Sequence, residues 1–169
     1  FDVAGPNQVW VTDITYLLGR SGWIYLVVFI DLFSRMIVGW SVSTSLKHDF
    51  VIEALRKGIL RRNPPEGLMI HSDRGIQFCC DDFRQELIAH KFIQSMSRKG
   101  DCWDNAVAES CFSTLKNEII CDYVFKDDEE TRNILFREIE VYYNRQRIHS
   151  KLGRLSPAEF EDKTLRRSA

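Results

Sequence analysis

Three acidic residues occupy positions where a carboxylate is costly without a partner. Asp13 interrupts the run Trp10-Val11-Thr12-Asp13-Ile14-Thr15, which otherwise has the composition of a central strand. Asp73 closes a short apolar run inside His71-Ser72-Asp73-Arg74-Gly75, and ligands of open α/β sheets collect outside the carboxyl ends of strands. Glu109 falls within a long amphipathic segment. If the three converge, two carboxylates ~4 Å apart repel by ~4 kcal/mol at an effective dielectric of about 20, so the group needs a cation or a proton. Oxygen donors without His or Cys favour Mg²⁺ or Mn²⁺ over zinc. Two such ions ~3.5–4 Å apart would clamp the attacking and leaving oxygens of an in-line phosphoryl displacement. Each acid alone also fits a plainer role: Asp13 at a strand edge in water, Asp73 in a turn, Glu109 on a solvated helix face.

The elements that must position these acids can be read from hydrophobic period. Val9 to Leu17, Ile24 to Phe33 and Met36 to Val42 are rich in β-branched and aromatic residues and predict three strands in a meander. The middle run is apolar on successive positions, as a strand covered on both faces requires, so helices are expected on both sides. Val51, Ala54, Leu55, Gly58 and Ile59 then share a helical face that stops at Asn63-Pro64-Pro65. A strand over Leu68 to Ser72, a helix over Asp82 to His90, a strand over Phe92 to Ser95 and a polar loop over Ser97 to Asp104 follow. Two long helices, Asn105 to Tyr123 and Asp128 to Asn144, complete a mixed five-stranded sheet with flanking helices. The tail, with turn signals at Leu152-Gly153 and Ser156-Pro157, predicts an irregular arm with one last helical turn. At about 100° per residue, Asn105, Ser113 and Lys116 fall at about −40°, +40° and −20° from Glu109, one polar stripe beside a buried face of Ala108, Phe112, Leu115 and Ile119.

Length and composition bound the rest. With 169 residues, 44% hydrophobic and 28% charged, the chain fits one globular domain with a sizeable core and excludes disordered or low-complexity classes. The apolar run Trp23 to Ile30, 8 residues long, is a strand and too short to cross a membrane. Five cysteines without a C-x-x-C pair favour neither a disulfide framework nor a zinc site and point to a reducing compartment. A start on Phe1, with no basic and apolar leader, points to a piece of a longer protein. The formal charge is −1, but Arg145 to Ala169 carries seven bases against three acids, a local +4. The expected division is therefore a catalytic core over 1–144 and a basic C-terminal arm of the same domain over 145–169.

The strings VWVTDITYL, HSDRGIQF, SRKGDCWDNAVAESCFSTLKNE and YYNRQRIHSKLGRLSPAEF resemble the integrase core of bacterial insertion-sequence transposases of the insertion-sequence-three family, relatives of retroviral integrase. The resemblance runs nearly end to end. Family members place 35 residues between the second Asp and the Glu, as Asp73 and Glu109 are placed here, and a Lys seven positions beyond, matched by Lys116. Cys79-Cys80 and Cys111 depart from the family pattern without touching the acids.

The resemblance implies an α/β fold of the ribonuclease-H-like class, with Asp13, Asp73 and Glu109 as catalytic metal ligands for two Mg²⁺ (or Mn²⁺) ions. It implies DNA as substrate: hydrolysis at a transposon end leaves a 3′-hydroxyl that attacks another phosphodiester, on the other end or at a target. It further implies a homo-oligomer assembled on DNA, a bacterial, nucleoid-associated location, no membrane, and an N-terminal region that recognises the element's ends. Lys116, Arg98, Lys99, Asn105, Arg147 and His149 are the expected DNA contacts. His149 is a poor metal ligand for a hard ion, and Trp103 in the polar loop also fits a packing anchor. Two other readings remain: a nuclease cutting RNA in hybrids, and a non-catalytic DNA-binding scaffold.

Overall fold

A computed structural model describes residues 3–97, 106–119 and 123–168. Five strands, β1 (Val9–Gly19), β2 (Gly22–Asp31), β3 (Ile37–Ser43), β4 (Met69–Ser72) and β5 (Ile93–Met96), form one sheet in the order β3-β2-β1-β4-β5. The meander β1-β2-β3 is antiparallel, and β4 and β5 run parallel to β1. This is the mixed five-stranded sheet that the alternation of periods predicts.

Helices cover both faces, because β2 buries every residue from Leu26 to Ile30 and neither side can meet water. On one face α1 (Asp49–Arg62) and α3 (Asp81–Ala89) press Phe50, Val51, Leu55, Phe83 and Leu87 against Trp10, Val27, Phe29 and Ile70. The approach of α1 is set by Gly39 of β3, where an added Cβ would stand 2.3 Å from the Ala54 carbonyl oxygen. Only glycine lets the two backbones come so near. The short α2 (Ile76–Cys79), absent from the sequence reading, bridges β4 to α3. On the other face α4 (Ala106–Thr114), α5 (Asp128–Phe136) and the turn that continues α5 bring Ala108, Phe112, Leu135 and Ile139 onto Val9, Val11, Leu26 and Val28.

Two expectations need correction. Neither long helix is a continuous α-helix: α4 passes into a π-helical turn at Leu115–Ile119 and α5 into one at Arg137–Tyr143, while Tyr123 is not helical. A π-turn holds extra residues per rotation, so phases counted at the α-helical angle drift beyond Leu115. The tail is also better ordered than its turn signals implied. After a 3₁₀ turn at Ser150–Leu152, α6 (Pro157–Ser168) runs for 12 residues. Ser156 starts it as a capping box, with Glu159 Oε2 accepting from both the Ser156 amide and hydroxyl at 2.9 Å. Two carboxylates share one cation where the tail meets the hairpin: Arg62 forks onto Glu161 at 2.8 and 2.9 Å and lies 3.7 Å from Asp31, and the Ser34 hydroxyl donates to Glu161 at 2.5 Å. Phe160 packs on Phe33 with ring centroids 5.2 Å apart.

Candidate active site

Parallel pairing of β1 with β4 ends at Thr12 beside Ser72, so one residue further the chains carry Asp13 and Asp73 next to each other. Asp13 shares the parity of Val9 and Val11, whose side chains meet α4 and α5, and both acids are half-buried on that face. Backbone amides hold each carboxylate: Asp13 Oδ1 accepts from Ile14 at 2.7 Å, and Asp73 Oδ1 accepts from Gly75 at 2.9 Å. A Cβ on Gly75 would sit 3.0 Å from Asp73 Oδ1, so the turn leaves that oxygen room which any other residue would take. Arg74 ties the same turn to β5 by donating to the Ser97 carbonyl at 3.1 Å, and buried His71 makes a 3.0 Å hydrogen bond from Nδ1 to the Ser95 hydroxyl. The end of the central strands is thereby braced.

Glu109 lies on α4 over the same sheet face, with its side chain exposed while neighbouring Ala108 is fully buried. Among the described residues, no three side chains of His, Cys, Asp and Glu stand close enough together to hold an ion. The structure therefore pairs the two aspartates and sets the glutamate on the covering helix of their face, without closing the three into one cage. Lys116 sits half-buried in the π-turn that ends α4. Arg98, Lys99 and Asn105 lie outside the described residues.

Arg147 and His149 come together, and their environment differs from a plain basic arm. Arg147 forks onto Glu118 at 2.7 and 2.9 Å, a pair that holds the Glu118 carboxyl below its ordinary range. Its Nη1 is also 3.4 Å from His149 Nδ1 and 3.3 Å from Nε2. Burial first, and then the Arg147 charge, pull the His149 pKa from 6.5 down to about 4, so the ring is neutral at physiological pH. Tyr143 packs its edge against the ring at 5.0 Å, and Cys111 beside Tyr143 is fully buried, its thiol pushed up to about 12 by desolvation. Asn144 is structural: its side-chain amide donates to the Ile37 carbonyl and its oxygen accepts from the Ile37 amide, both at 2.9 Å, standing in for a strand neighbour at the sheet edge. Sequence reasoning missed Glu118 as the partner of Arg147 and Arg35 as a neighbour of His149, because both pairings join distant parts of the chain.

A family model described as integrase core domain matches residues 3–102, and a second model of that description matches 90–157. Transposase InsF for insertion sequence IS3A of Escherichia coli (strain K12) is 46% identical over 165 residues, 98% of this chain and 57% of that protein. An uncharacterized 31 kDa protein of insertion element IS600 from Shigella sonnei is 42% identical, covering 96% of this chain and 60% of its own. The chain thus spans somewhat over half the length of these relatives. Among solved structures, the catalytic core domain of HTLV-2 integrase in complex with magnesium superposes with a TM-score of 0.73 at 18% identity, over 95% of this chain and 99% of that one. A chain of the simian T-cell lymphotropic virus intasome gives 0.77 at 16% identity, over 94% of this chain and 55% of that one. The fold is that of the retroviral integrase catalytic core, the ribonuclease-H-like class. With its family match spanning most of the sheet and both aspartates, this chain belongs to the integrase core domain family.

Proposed function

We propose that this domain is the catalytic core of a transposase that cuts DNA at transposon ends and transfers the freed 3′-hydroxyl to another phosphodiester. In the first step water attacks phosphorus, the P–O3′ bond breaks, and a 3′-hydroxyl and a 5′-phosphate are left. In the second, that hydroxyl attacks phosphorus in another strand, one phosphodiester replaces another, and no external energy source is consumed. The observation that carries this reading is the β1–β4 register, which seats Asp13 beside Asp73 under the helix that bears Glu109.

The residues fit a hard divalent ion. All three donors are carboxylates, and Gly75 keeps Asp73 Oδ1 uncrowded. Asp13, Asp73 and Glu109 would hold Mg²⁺ or Mn²⁺, two ions in the active complex, and the solved HTLV-2 core is itself a magnesium complex. When bound, the metal withdraws charge from the scissile phosphate and lowers the pKa of the attacking oxygen. The chain's own part is positional. The amides of Ile14 and Gly75 fix the two aspartates before substrate arrives, and Glu109 would complete the set from α4. Lys116, Arg98, Lys99, Asn105, Arg147 and His149 are proposed to face the DNA. Assembly of two or more copies on DNA, and a bacterial cytoplasmic, nucleoid-associated location, belong to the same proposal; among the described residues, no helix is long and apolar enough to cross a membrane. The 145–169 arm is assigned to the same domain, supported by its Glu161 clamp on Arg62 and Ser34.

The test is Mg²⁺- or Mn²⁺-dependent cleavage and joining of a labelled transposon-end duplex by the chain and by Glu109→Gln. Cleaved and joined products from the parent and none above background from the variant are expected. Equal activity in both proteins would refute the assignment.

A further inference from the structure

We propose that the cavity between α4 and the C-terminal arm is a phosphate-binding site, which grips the backbone of the DNA strand a few nucleotides from the bond being cut. The cavity, about 460 Å³, is lined by Arg35, Arg147, His149, Lys151, Arg154 and the hydroxyl-bearing Ser110, among others. Four of these are permanent cations at neutral pH. The Arg147 charge is met by Glu118, which leaves three positive side chains around one opening.

Arg35 is the informative member. It occupies the β2–β3 hairpin turn with φ 62°, a left-handed conformation that a bulky L-residue adopts only at a cost and that Gly or Asn would adopt more cheaply. Among the described residues, its Nη1 is buried without a hydrogen-bond partner. Burial lowers its pKa, opposed by Tyr143 and Asp31, yet a guanidinium stays protonated in proteins. Asp31 is itself engaged by the Asn7 and Phe33 amides at 2.7 and 2.9 Å. A desolvated guanidinium with an unused donor, in a cavity whose other charges are also positive, calls for an anion from outside the chain. The gradation of the lining matches a strand passing over the mouth: Arg35 and Arg147 are partly buried, and Lys151 and Arg154 are exposed at the rim.

The cavity is distinct from the acidic centre and close to it. Ser110, Thr114 and Val107 lie at about +100° to +160° from Glu109 on α4, so helix packing puts the two on opposite flanks of one helix of about 10–12 Å diameter. A polyanion engaged on both flanks would straddle α4. This inference rests on the proposed strand-transfer reading for the identity of the anion, and its test separates the two.

Binding of a labelled DNA duplex is measured by fluorescence anisotropy without divalent ions, as a function of salt, for the 169-residue chain, Lys151→Gln/Arg154→Gln, Arg35→Met and the remote control Arg84→Gln. Each lost phosphate contact lowers the slope of log affinity against log salt by about 0.9, so the double variant is expected to lose up to about two contacts' worth while the control keeps the parent slope. In a second arm, inorganic phosphate is expected to raise the thermal midpoint of the parent and not that of Arg35→Met. If Arg35→Met does not fold, the rim pair decides alone. A parent that does not bind DNA, or a double variant with the slope of the control, overturns the proposal. Stabilisation by phosphate with unchanged DNA slopes also overturns it, assigning the cavity to a small free anion. Altered slopes in a chain without Mg²⁺-dependent cleavage would leave the phosphate site standing and remove the strand-transfer reading.

Discussion

Lowering the pH through the histidine range should weaken the packing of the C-terminal arm, with His149 responsible. The folded ring sits at about 4 and the unfolded ring at its ordinary 6.5, so the unfolded chain takes up a proton in a window where the folded chain does not. The sign follows: stability from this residue is complete above pH 6.5, declines as the pH falls toward 4, and levels off once the folded ring is protonated too. At about 1.4 kcal/mol per pH unit the full effect would be about 3 kcal/mol, and solvent access to this half-buried ring reduces it to on the order of 1–2 kcal/mol. The charges that oppose the proton are Arg147, 3.3 Å from Nε2, and Arg35, and Glu118 partly offsets them. Urea unfolding at a series of pH values, run on the chain and on His149→Gln, isolates this contribution, because the carboxylates common to both cancel in the difference. The parent's margin over the variant should shrink by that amount between neutral and acidic pH. Parallel curves across the whole range would show that the ring is not held neutral by its surroundings, and the reasoning would fail.

Other consequences are as direct. Asn144→Ala strips both hydrogen bonds from the buried backbone of Ile37 and should cost about 2–4 kcal/mol in urea unfolding, with Asn144→Asp recovering only the accepted bond. Gly39→Ala drives a methyl into the Ala54 carbonyl, backbone against backbone, and should lower stability by about 3 kcal/mol and depress the circular-dichroism melting temperature. Glu161→Ala leaves Arg62 without its buried forked partner and should cost about 3 kcal/mol, at the low end for such pairs because Asp31, 3.7 Å away, can take over part of the charge. Asp73→Asn should abolish metal-dependent cleavage while leaving the unfolding midpoint close to that of the parent, since Gly75 can still donate to the amide oxygen.

How far the chain could be read depended on the range of the interaction. The strands and their order along the chain were legible because side-chain alternation and burial leave a period in the sequence, and the continuous apolar run of β2 announced helices on both faces. The end of α1 at Asn63, in a left-handed conformation at φ 41°, was equally legible from the prolines that follow. α6 was legible in principle: Ser156-Pro157-Ala158-Glu159 is a capping box with proline at the first helical position, read instead as a turn because Ser-Pro also starts turns. The π-turns were not, since an added residue in a helical rotation changes hydrogen-bond pairing without a distinctive residue type.

The sequence by itself determined which residue types and spacings were available for chemistry: an acid within a central strand, a second after a short strand, a third with 35 residues between, and a tail rich in bases. Only the tertiary structure decided which charges remain usable. Folding spends Arg147 on Glu118, 29 positions away, keeps His149 neutral, and brings Arg35 from a hairpin to the same cavity with a donor left over. The reason is physical. Local propensity acts over a few residues and leaves its pattern in the chain, whereas electrostatic pairing and desolvation depend on distances in space that close only when the sheet and its covering helices assemble.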